Sequence, residues 1–253
     1  MPSVAIVTGS AHGIGRACVE RLAADGYQVV ATDSDGRALS NWVQQIGLQD
    51  SVETRTLDVA DVPAGQALVA DTIAAHGRVD ALANVAGYTR RQSLEEIDTD
   101  IWNAMLDVLV RGPVFLTKAV AEDMIRRGDP GSIVQVSSIR SESAEPGQAH
   151  YCSAKGALRT VTRAIAQELA PHQIRVNCVG PGLTATRMTS DVRAKPELFE
   201  QRKATVPLGR YASADEIASC VAFLLSPRSA YVTGTTLYAD GGYLASLGKT
   251  RSW

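Results

Sequence analysis

The sequence carries almost no net charge. Its 25 Lys and Arg residues nearly balance 27 Asp and Glu residues, which leaves a net charge of −2 at pH 7. A balance of this kind provides no electrostatic attraction for nucleic acid or for an anionic membrane. We therefore expect small molecules as partners, with no nucleic acid and no membrane.

Cysteine is scarce, and the residues present are far apart. None belongs to the short paired spacings that hold zinc or form a redox motif, so no metal site is predicted. Reduced thiols in a cytosolic protein are the expected state. The four cysteines are Cys18, Cys152, Cys178 and Cys220.

Long apolar runs, internal repeats and low-complexity tracts are also absent. The chain enters a short apolar strand within "MPSVAIVTGS" and shows no charged leader, so we predict neither a signal peptide nor a membrane span and expect a cytoplasmic protein. The length of 253 residues suits a single α/β domain over positions 1–253.

What the sequence does contain is an alternation of short apolar runs with longer helical patterns. Runs of Val, Ile and Ala without polar alternation are typical of a parallel sheet that helices cover on both faces. The predicted fold is therefore α/β and doubly wound. The runs are "VAIVT" at 4–8, "QVVAT" at 28–32, "DALANV" at 80–85, "SIVQVSS" at 132–138 and "IRVNCV" at 174–179. Helices are predicted near 14–25, 37–47, 62–76, 101–127, 150–170 and 214–226.

Two features lie outside this alternation. Ser213 precedes the last predicted helix and is its expected N-cap. The least regular stretch, about 183–211, is long and of mixed charge, and such a segment in a compact domain is usually a lid or a binding loop. We predict that it is the substrate loop.

A glycine-rich turn, "TGSAHGIG", joins the first strand to the first helix. Glycines let the backbone turn sharply and approach a pyrophosphate, which the free N–H groups and the dipole of the helix then stabilise. The turn predicts a dinucleotide site. The contacts expected here are Gly9, Ser10, His12, Gly13 and Ile14.

Asp33 ends the second strand, about 20 residues after the last glycine of the turn. A carboxylate there accepts hydrogen bonds from the adenosine ribose hydroxyls and repels a 2′-phosphate, so it favours NAD over NADP. Ser34 follows, so no arginine stands immediately beside this position to hold a phosphate.

Taken together, these motifs resemble the short-chain dehydrogenase/reductase family over essentially the whole chain. The resemblance joins "TGSAHGIG", "NVAG" at 84–87, Ser138, "YCSAK" at 151–155 and "PG" at 181–182 in the family's order and approximate spacing. It implies a single Rossmann-like domain with a seven-stranded parallel sheet, assembled as a homotetramer or dimer. It also implies oxidation of alcohols or reduction of carbonyls with a nicotinamide cofactor.

The resemblance assigns further cofactor contacts. Asp58 and Val59 match the residues that bracket the adenine, and Asn84 matches the one that supports the cofactor from the fourth strand. Ala86 and Gly87 belong to the same segment as Asn84. The "PGLTAT" segment looks like the piece that holds the nicotinamide carboxamide, and the residues implied there are Pro181, Gly182, Thr184 and Thr186.

Tyr151 and Lys155 are four positions apart, which places both on one face of a helix. A free tyrosine has a pKa of about 10, but a nearby ammonium and a positive nicotinamide ring are expected to lower it. A phenolate can then accept the hydroxyl proton that leaves as hydride is transferred. Ser138 would hold the substrate oxygen, and the resemblance implies that Lys155 also binds the nicotinamide ribose.

One position departs from the family pattern. Members usually carry an asparagine in a Val-Asn-x-x-Gly segment, where it holds a water that links the lysine to solvent, but this chain reads "VLVRG" and has Leu109 there. Leucine can neither donate nor accept a hydrogen bond. Three explanations are open: a neighbouring polar side chain such as Asn103 or Asp107 substitutes after a local shift, the proton leaves by another path, or turnover is slow.

The predicted walls of the substrate pocket are polar and rich in arginine. We expect a polar secondary alcohol, such as a sugar, polyol or hydroxy acid, with Arg140 as the substrate contact. Two alternatives remain. One is an NADPH-dependent ketoreductase of the 3-oxoacyl type, which Asp33 disfavours. The other is a nicotinamide-binding sensor or scaffold, which the alignment of Ser138, Tyr151 and Lys155 disfavours.

Overall fold

A computed structural model describes residues 2–246. The C-terminal "LGKTRSW", for which the sequence leaves an interface element and a frayed tail equally open, lies outside the described residues. No helix within 2–246 is long and apolar enough to cross a membrane.

Seven parallel strands form one sheet in the order β3-β2-β1-β4-β5-β6-β7. This confirms the predicted doubly wound α/β fold. The short edge strand β3 reads "VETRT" and has no apolar run, because only Val52 is buried and the strand becomes exposed towards Thr56. The strands are β1 Val4–Thr8, β2 Gln28–Asp33, β3 Val52–Thr56, β4 Ala81–Asn84, β5 Gly131–Val136, β6 Ile174–Pro181 and β7 Thr236–Ala239.

Helices cover both faces of this sheet, as the apolar strands predicted. The main helices are α1 Gly13–Ala24, α2 Gly36–Gln45, α3 Val62–His76, α4 Thr99–Leu106, α5 Gly112–Arg127, α6 Ala149–Leu169 and α9 Ala214–Leu225. One core lies beneath α1, α2 and α9, and a second lies beneath α3, α5 and α6. Successive strand residues alternate between the two cores: Ala5 and Val7 face the first, and Ile6 faces the second.

The chain order reverses between β1 and β4. Strand β1 pairs with β2 on one side and with β4 on the other, so the connections leave these neighbours towards opposite faces. At such a point a crevice opens outside the carboxyl ends of the strands, where α/β proteins bind their ligands.

The helix predicted over 101–127 is interrupted. A π-helical turn, Asp107–Arg111, separates α4 from α5. Gly112 begins α5 so close to the loop after β3 that a Cβ on it would lie 2.1 Å from the carbonyl oxygen of Val59. The turn therefore accommodates a helix that presses its backbone against the neighbouring loop.

The irregular stretch at 183–211 contains more helix than its sequence indicated. A 3₁₀ turn at Arg187–Thr189 is followed by the short helix α7, Ser190–Arg193, and by α8, Pro196–Ala204. No residue of α7 or α8 is fully buried. The segment thus forms a helical flap over the carboxyl edge of the sheet rather than part of the core.

Ser213 caps α9 as predicted, within a capping box. Its hydroxyl accepts a hydrogen bond from the backbone N–H of Glu216 at 3.2 Å, and the Glu216 carboxylate accepts one from the Ser213 N–H at 2.8 Å. Two N–H groups that the helix leaves free are thereby paired.

Replacement of Ser213 by Ala is expected to lower the free energy of unfolding by about 1 kcal/mol, because the hydroxyl acceptor is lost. Urea denaturation measures this difference. Ser219→Ala on the exposed side of the same helix is the control, and it should be neutral or slightly stabilising. Equal losses in both variants would contradict the capping argument.

Candidate active site

A cavity of about 660 Å³ opens along the carboxyl edge of β1, β4, β5 and β6. It receives most of the predicted cofactor residues together with the three predicted catalytic residues. Those that line it are Gly9, His12, Gly13, Ile14, Asp33, Asp58, Val59, Ala86, Gly87, Ser138, Tyr151, Lys155, Pro181, Gly182, Thr184 and Thr186. Gly15, Ser34, Tyr88 and Thr89 line it as well.

The glycine-rich turn depends on two close backbone approaches. Gly9 has φ +68°, and a Cβ on it would lie 2.6 Å from the Cα of Ala86. A Cβ on Gly15 would lie 2.0 Å from the Gly9 carbonyl oxygen. Side chains at these positions would push the turn away from the segment after β4.

The N-terminus of α1 faces the cavity with its N–H groups uncapped. His12 is the N-cap residue in an extended conformation, and its side chain does not bond back to the helix. Its Nε2 lies 3.3 Å from Nη1 of Arg187 in the flap, and both residues line the cavity. Free helix N–H groups and a guanidinium are the donors that a pyrophosphate requires, so this end of the cavity fits the predicted dinucleotide.

Asp33 is held at the cavity wall by two backbone N–H groups. One carboxylate oxygen accepts from Ala11 at 2.9 Å, and the other accepts from Asp35 at 2.9 Å. The carboxylate is thereby fixed between the glycine-rich turn and α2. Its remaining lone pairs are free to accept hydrogen bonds from ribose hydroxyls, and its charge would repel a 2′-phosphate.

Two predicted cofactor residues lie behind the wall instead of in it. Ser10 is fully buried and its hydroxyl donates to the Val7 carbonyl at 2.9 Å. Asn84 is 3% exposed, and its amide donates to Pro113 and Thr117 of α5, both at 3.3 Å. Both residues brace the elements that carry the site, and their predicted direct contacts stay predictions.

Sequence reasoning missed Thr8. Its hydroxyl oxygen accepts from the N–H groups of Val85 and Ala86, both at 3.0 Å, which ties the "NVAG" segment to the end of β1. Thr8 ends an apolar run and is 1% exposed, so the sequence pattern carries no signal for this role.

Ser138, Tyr151 and Lys155 converge on the cavity from two elements. Ser138 follows β5 and caps a 3₁₀ turn, where its hydroxyl accepts from the N–H of Arg140 at 3.1 Å. Helix α6 carries Tyr151 and Lys155 on one face, with the Lys155 ammonium 5.9 Å from the centre of the Tyr151 ring. That ammonium donates to the Val136 carbonyl at 2.8 Å.

Burial dominates the protonation of this pair. It raises the pKa of Tyr151 above its ordinary value, against the lowering effect of a hydrogen bond with Ser138 and of the Arg140 charge. Burial also lowers the pKa of Lys155 to about 8. The lowering expected from the ammonium and a positive nicotinamide ring together stays a prediction, because in the protein alone desolvation disfavours both charged forms.

Leu109 lies in the π-helical turn and is completely buried. A Cβ on Gly87 would come within 2.9 Å of Leu109 Cδ2 and 3.9 Å of Lys155 Nζ, so leucine packs against the glycine that borders the lysine. Met105, Tyr151 and Ala154 complete this apolar cluster. The space that a polar relay would occupy is filled with hydrocarbon.

Neither proposed substitute for the missing asparagine reaches this cluster. Asn103 is exposed on α4. Asp107 forms an ion pair with Arg111 at 3.1 Å, and both side chains are partly exposed. In this conformation neither side chain takes the place of the asparagine, and the three explanations for Leu109 stay open.

Arg140, the predicted substrate contact, does not line the cavity. It is 7% exposed, its guanidinium forms an ion pair with Glu145, and it donates to the Ser143 hydroxyl at 3.0 Å. Its place within the wall gives no support to a direct substrate contact. Its backbone N–H donates a hydrogen bond to the Ser138 hydroxyl.

The chain is similar to known proteins over almost its whole length. A family model described as enoyl-(acyl carrier protein) reductase matches residues 9–244. L-xylulose reductase from Bos taurus is 37% identical over 242 residues, which cover 96% of each chain. A 3-oxoacyl-[acyl-carrier-protein] reductase from Thermotoga maritima is 36% identical over 240 residues, which cover 94% of this chain and 96% of that one.

Solved structures show the same likeness. A gluconate 5-dehydrogenase from Burkholderia cenocepacia, in complex with NADP and tartrate, has a TM-score of 0.90 at 30% identity and covers 96% of this chain and 95% of that one. The sheet and the surrounding helices are thus shared over the described fold.

Replacement of Lys155 by Met is expected to stabilise the protein by about 1–3 kcal/mol at pH 7. The unfolded chain binds this proton more tightly than the folded chain, because the pKa falls from 10.5 to about 8 on folding. The gain in the free energy of unfolding over the wild type should be full below about pH 8 and shrink as the pH rises towards 10.5. Urea denaturation from pH 6 to pH 10 measures it.

The exposed Lys118→Met on α5 is the control and should show no comparable change with pH. An advantage for Lys155→Met that grows with pH would contradict the sign of the pKa shift.

Proposed function

The chain belongs to the short-chain dehydrogenase/reductase family, and from this premise we propose that it is an NAD-dependent oxidoreductase. Its substrate is a polar secondary alcohol or the corresponding ketone, of the sugar, polyol or hydroxy acid type. The observation that carries the proposal is the convergence of Ser138, Tyr151 and Lys155 on a cavity whose other end has an uncapped helix N-terminus and Asp33.

The cavity residues fit a nicotinamide dinucleotide. The α1 N-terminus would hold the pyrophosphate, Asp33 the adenosine ribose, and Lys155 the nicotinamide ribose. Thr184 and Thr186 follow β6 and line the same cavity, in reach of the carboxamide end. When bound, this cofactor supplies the acceptor or donor of hydride.

The protein's own part is to manage the oxygen and its proton. During oxidation the carbinol carbon loses hydride and its hydroxyl loses a proton, which Tyr151 accepts. The Ser138 hydroxyl, positioned by the turn it caps, hydrogen-bonds the oxygen as the carbonyl forms. During reduction Tyr151 returns the proton to the same oxygen. A positive charge beside the buried phenol would favour its ionised form and oppose the effect of burial.

The relatives support this class of substrate without choosing the cofactor. They are an L-xylulose reductase, a 3-oxoacyl-[acyl-carrier-protein] reductase and a gluconate 5-dehydrogenase. The last holds NADP, so our choice of NAD rests on Asp33. The same resemblance leads us to expect a homotetramer or dimer, and the scattered cysteines lead us to expect a cytoplasmic location.

Replacement of Tyr151 by Phe is expected to reduce turnover by about 100-fold or more while leaving NAD binding within a few-fold, because only the proton acceptor is removed. The assay follows reduced nicotinamide by absorbance over a panel of sugars, polyols, hydroxy acids and cyclic secondary alcohols. Tyr231→Phe, at a fully exposed position, is the control.

Unchanged turnover in Tyr151→Phe would contradict the catalytic assignment. Tight NAD binding by the wild type with no turnover across the panel would instead favour a binding protein of the same fold.

Replacement of Asp33 by Ser is expected to shift the ratio of kcat/KM for NAD to that for NADP by about tenfold or more towards NADP. The change removes the ribose acceptor and the charge that opposes a 2′-phosphate. Asp35→Ser is the matched control, since it removes one nearby charge yet keeps an N-cap oxygen for α2. A wild type that already prefers NADPH would overturn the NAD assignment and favour the ketoreductase alternative.

A further inference from the structure

One carboxylate beside the cavity, that of Glu145, gathers three guanidinium groups from three segments. Arg91 comes from the loop after β4, Arg140 from the turn after Ser138, and Arg202 from α8 of the flap. Arg91 Nη2 lies 2.6 Å from Glu145 Oε1, Arg202 pairs with that same oxygen, and Arg140 pairs with Oε2. The Glu145 side chain is only 11% exposed, so this carboxylate is the centre of a largely desolvated cluster.

The arginine cluster carries more positive than negative charge. Burial alone would raise the pKa of Glu145, but its bonds to Arg202 and Arg91 and the charge of Arg140 hold the pKa at about 2. Three permanent cations therefore surround one permanent anion. The other carboxylate of this loop, Glu142, is turned away and pairs with Arg159. A surplus of like charge in a partly buried place is unfavourable until an anion joins it.

Two of the three arginines keep free donors. The Arg140 guanidinium is already engaged by protein groups. It pairs with Glu145, donates to Ser143 and stacks at 5.7 Å on the ring of Tyr243. Arg91 and Arg202 each reach Glu145 through a single terminal nitrogen. A guanidinium has five N–H donors, and these two side chains are 49% and 28% exposed. Because both bond the same oxygen, they also lie side by side.

The cluster adjoins the end of the cavity that contains Tyr151. The loop that carries Arg91 continues from Thr89, which lines the cavity. That loop is tied to the segment before α6 by a bond from the Gln92 N–H to the Gly147 carbonyl at 3.0 Å. The Arg140 charge is close enough to act on the Tyr151 phenol. Arg91, Arg202 and Glu145 do not line the cavity themselves, so the cluster meets the cavity at its rim, through Thr89 and through the Arg140 charge.

We propose that Arg91 and Arg202 form a subsite for a carboxylate of the substrate, so that the protein acts on a hydroxy acid or its keto acid in preference to a neutral polyol. This inference rests on the proposed function and specifies its substrate class. Glu145 and Arg140 are positioning residues: Glu145 holds the two guanidinium groups side by side, and a planar carboxylate fits their donors in a bidentate manner. Since Arg202 belongs to α8, a bound acid also joins the flap to the loop after β4.

The test uses matched pairs of acid and neutral probes: gluconate with glucitol, and tartrate with threitol. Calorimetric titration measures their binding to the full chain, both alone and saturated with NADH. The wild type should bind at least one acid more tightly than its neutral partner. Arg91→Gln and Arg202→Gln should each weaken the binding of that acid by about tenfold or more. The affinity for its neutral partner should be unchanged. Arg202→Lys, which keeps the charge without the planar fork, should fall between wild type and Arg202→Gln.

Arg210→Gln is the matched control, since it removes a guanidinium from the same flap segment but one that pairs with Glu216 on α9. It should leave acid binding unchanged. Thermal denaturation of every variant identifies a loss of fold. Equal weakening of acid and neutral probes, no weakening, or no preference for acids in the wild type would each overturn the subsite.

Failure of the proposed function gives a different result. Acid binding in the absence of cofactor tests the subsite whether or not the protein turns over. Binding that depends on both arginines in a protein without NAD-dependent turnover would refute the dehydrogenase and keep the subsite. NAD-dependent turnover of acids that is unaffected in Arg91→Gln and Arg202→Gln would refute the subsite alone.

Discussion

The close contact between the ends of β1 and β4 is the constraint on which the site depends. The Thr8 hydroxyl oxygen accepts hydrogen bonds from the backbone N–H groups of Val85 and Ala86. A side chain on Gly9 would collide with Ala86. This contact closes the sheet at the point where the chain order reverses, and it sets the glycine-rich turn beside the "NVAG" segment. The end of the cavity at the glycine-rich turn and the end that contains Tyr151 are therefore held at a fixed distance and orientation.

Burial then determines the chemistry at the reactive end. Tyr151, Lys155 and Leu109 share one desolvated region, and each ionisable group there is biased towards its neutral form. Burial of a charged lysine disfavours folding at neutral pH. The same burial lowers the pKa of Lys155 to about 8, which is close to neutral pH. Leu109 strengthens the bias by placing hydrocarbon where the family has an amide.

The flap side of the wall is held by ion pairs, whereas Tyr151 itself packs in the apolar cluster with Met105, Leu109 and Ala154. The flap has no fully buried residue in α7 or α8, and its ion pair from Arg202 to Glu145 links it to the rest of the wall. A surface ion pair contributes little to stability, but Glu145 is mostly buried and bonds three arginines, which makes it a stronger anchor. The ion pair between Arg202 and Glu145 thus joins the flap to the wall at the proposed carboxylate subsite.

The sequence by itself determined the fold class and singled out the candidate catalytic residues Ser138, Tyr151 and Lys155. Apolar runs alternate with helical patterns because each strand is buried on both faces, and the i, i+4 spacing of Tyr151 and Lys155 is a property of any helix. Such features are local, so a linear reading can find them. The same holds for the Ser213 cap and for Asp33 at a strand end.

Only the tertiary structure decided how distant residues meet. The role of Thr8, the retreat of Ser10, Asn84 and Arg140 behind the cavity wall, and the assembly of arginines on Glu145 all depend on loops that are remote in the chain. The desolvation that raises the pKa of Tyr151 in the protein alone also arises only on folding, since a sequence shows a neighbouring lysine but not the burial of the phenol. Contacts and burial arise from packing in three dimensions, and no local pattern encodes them.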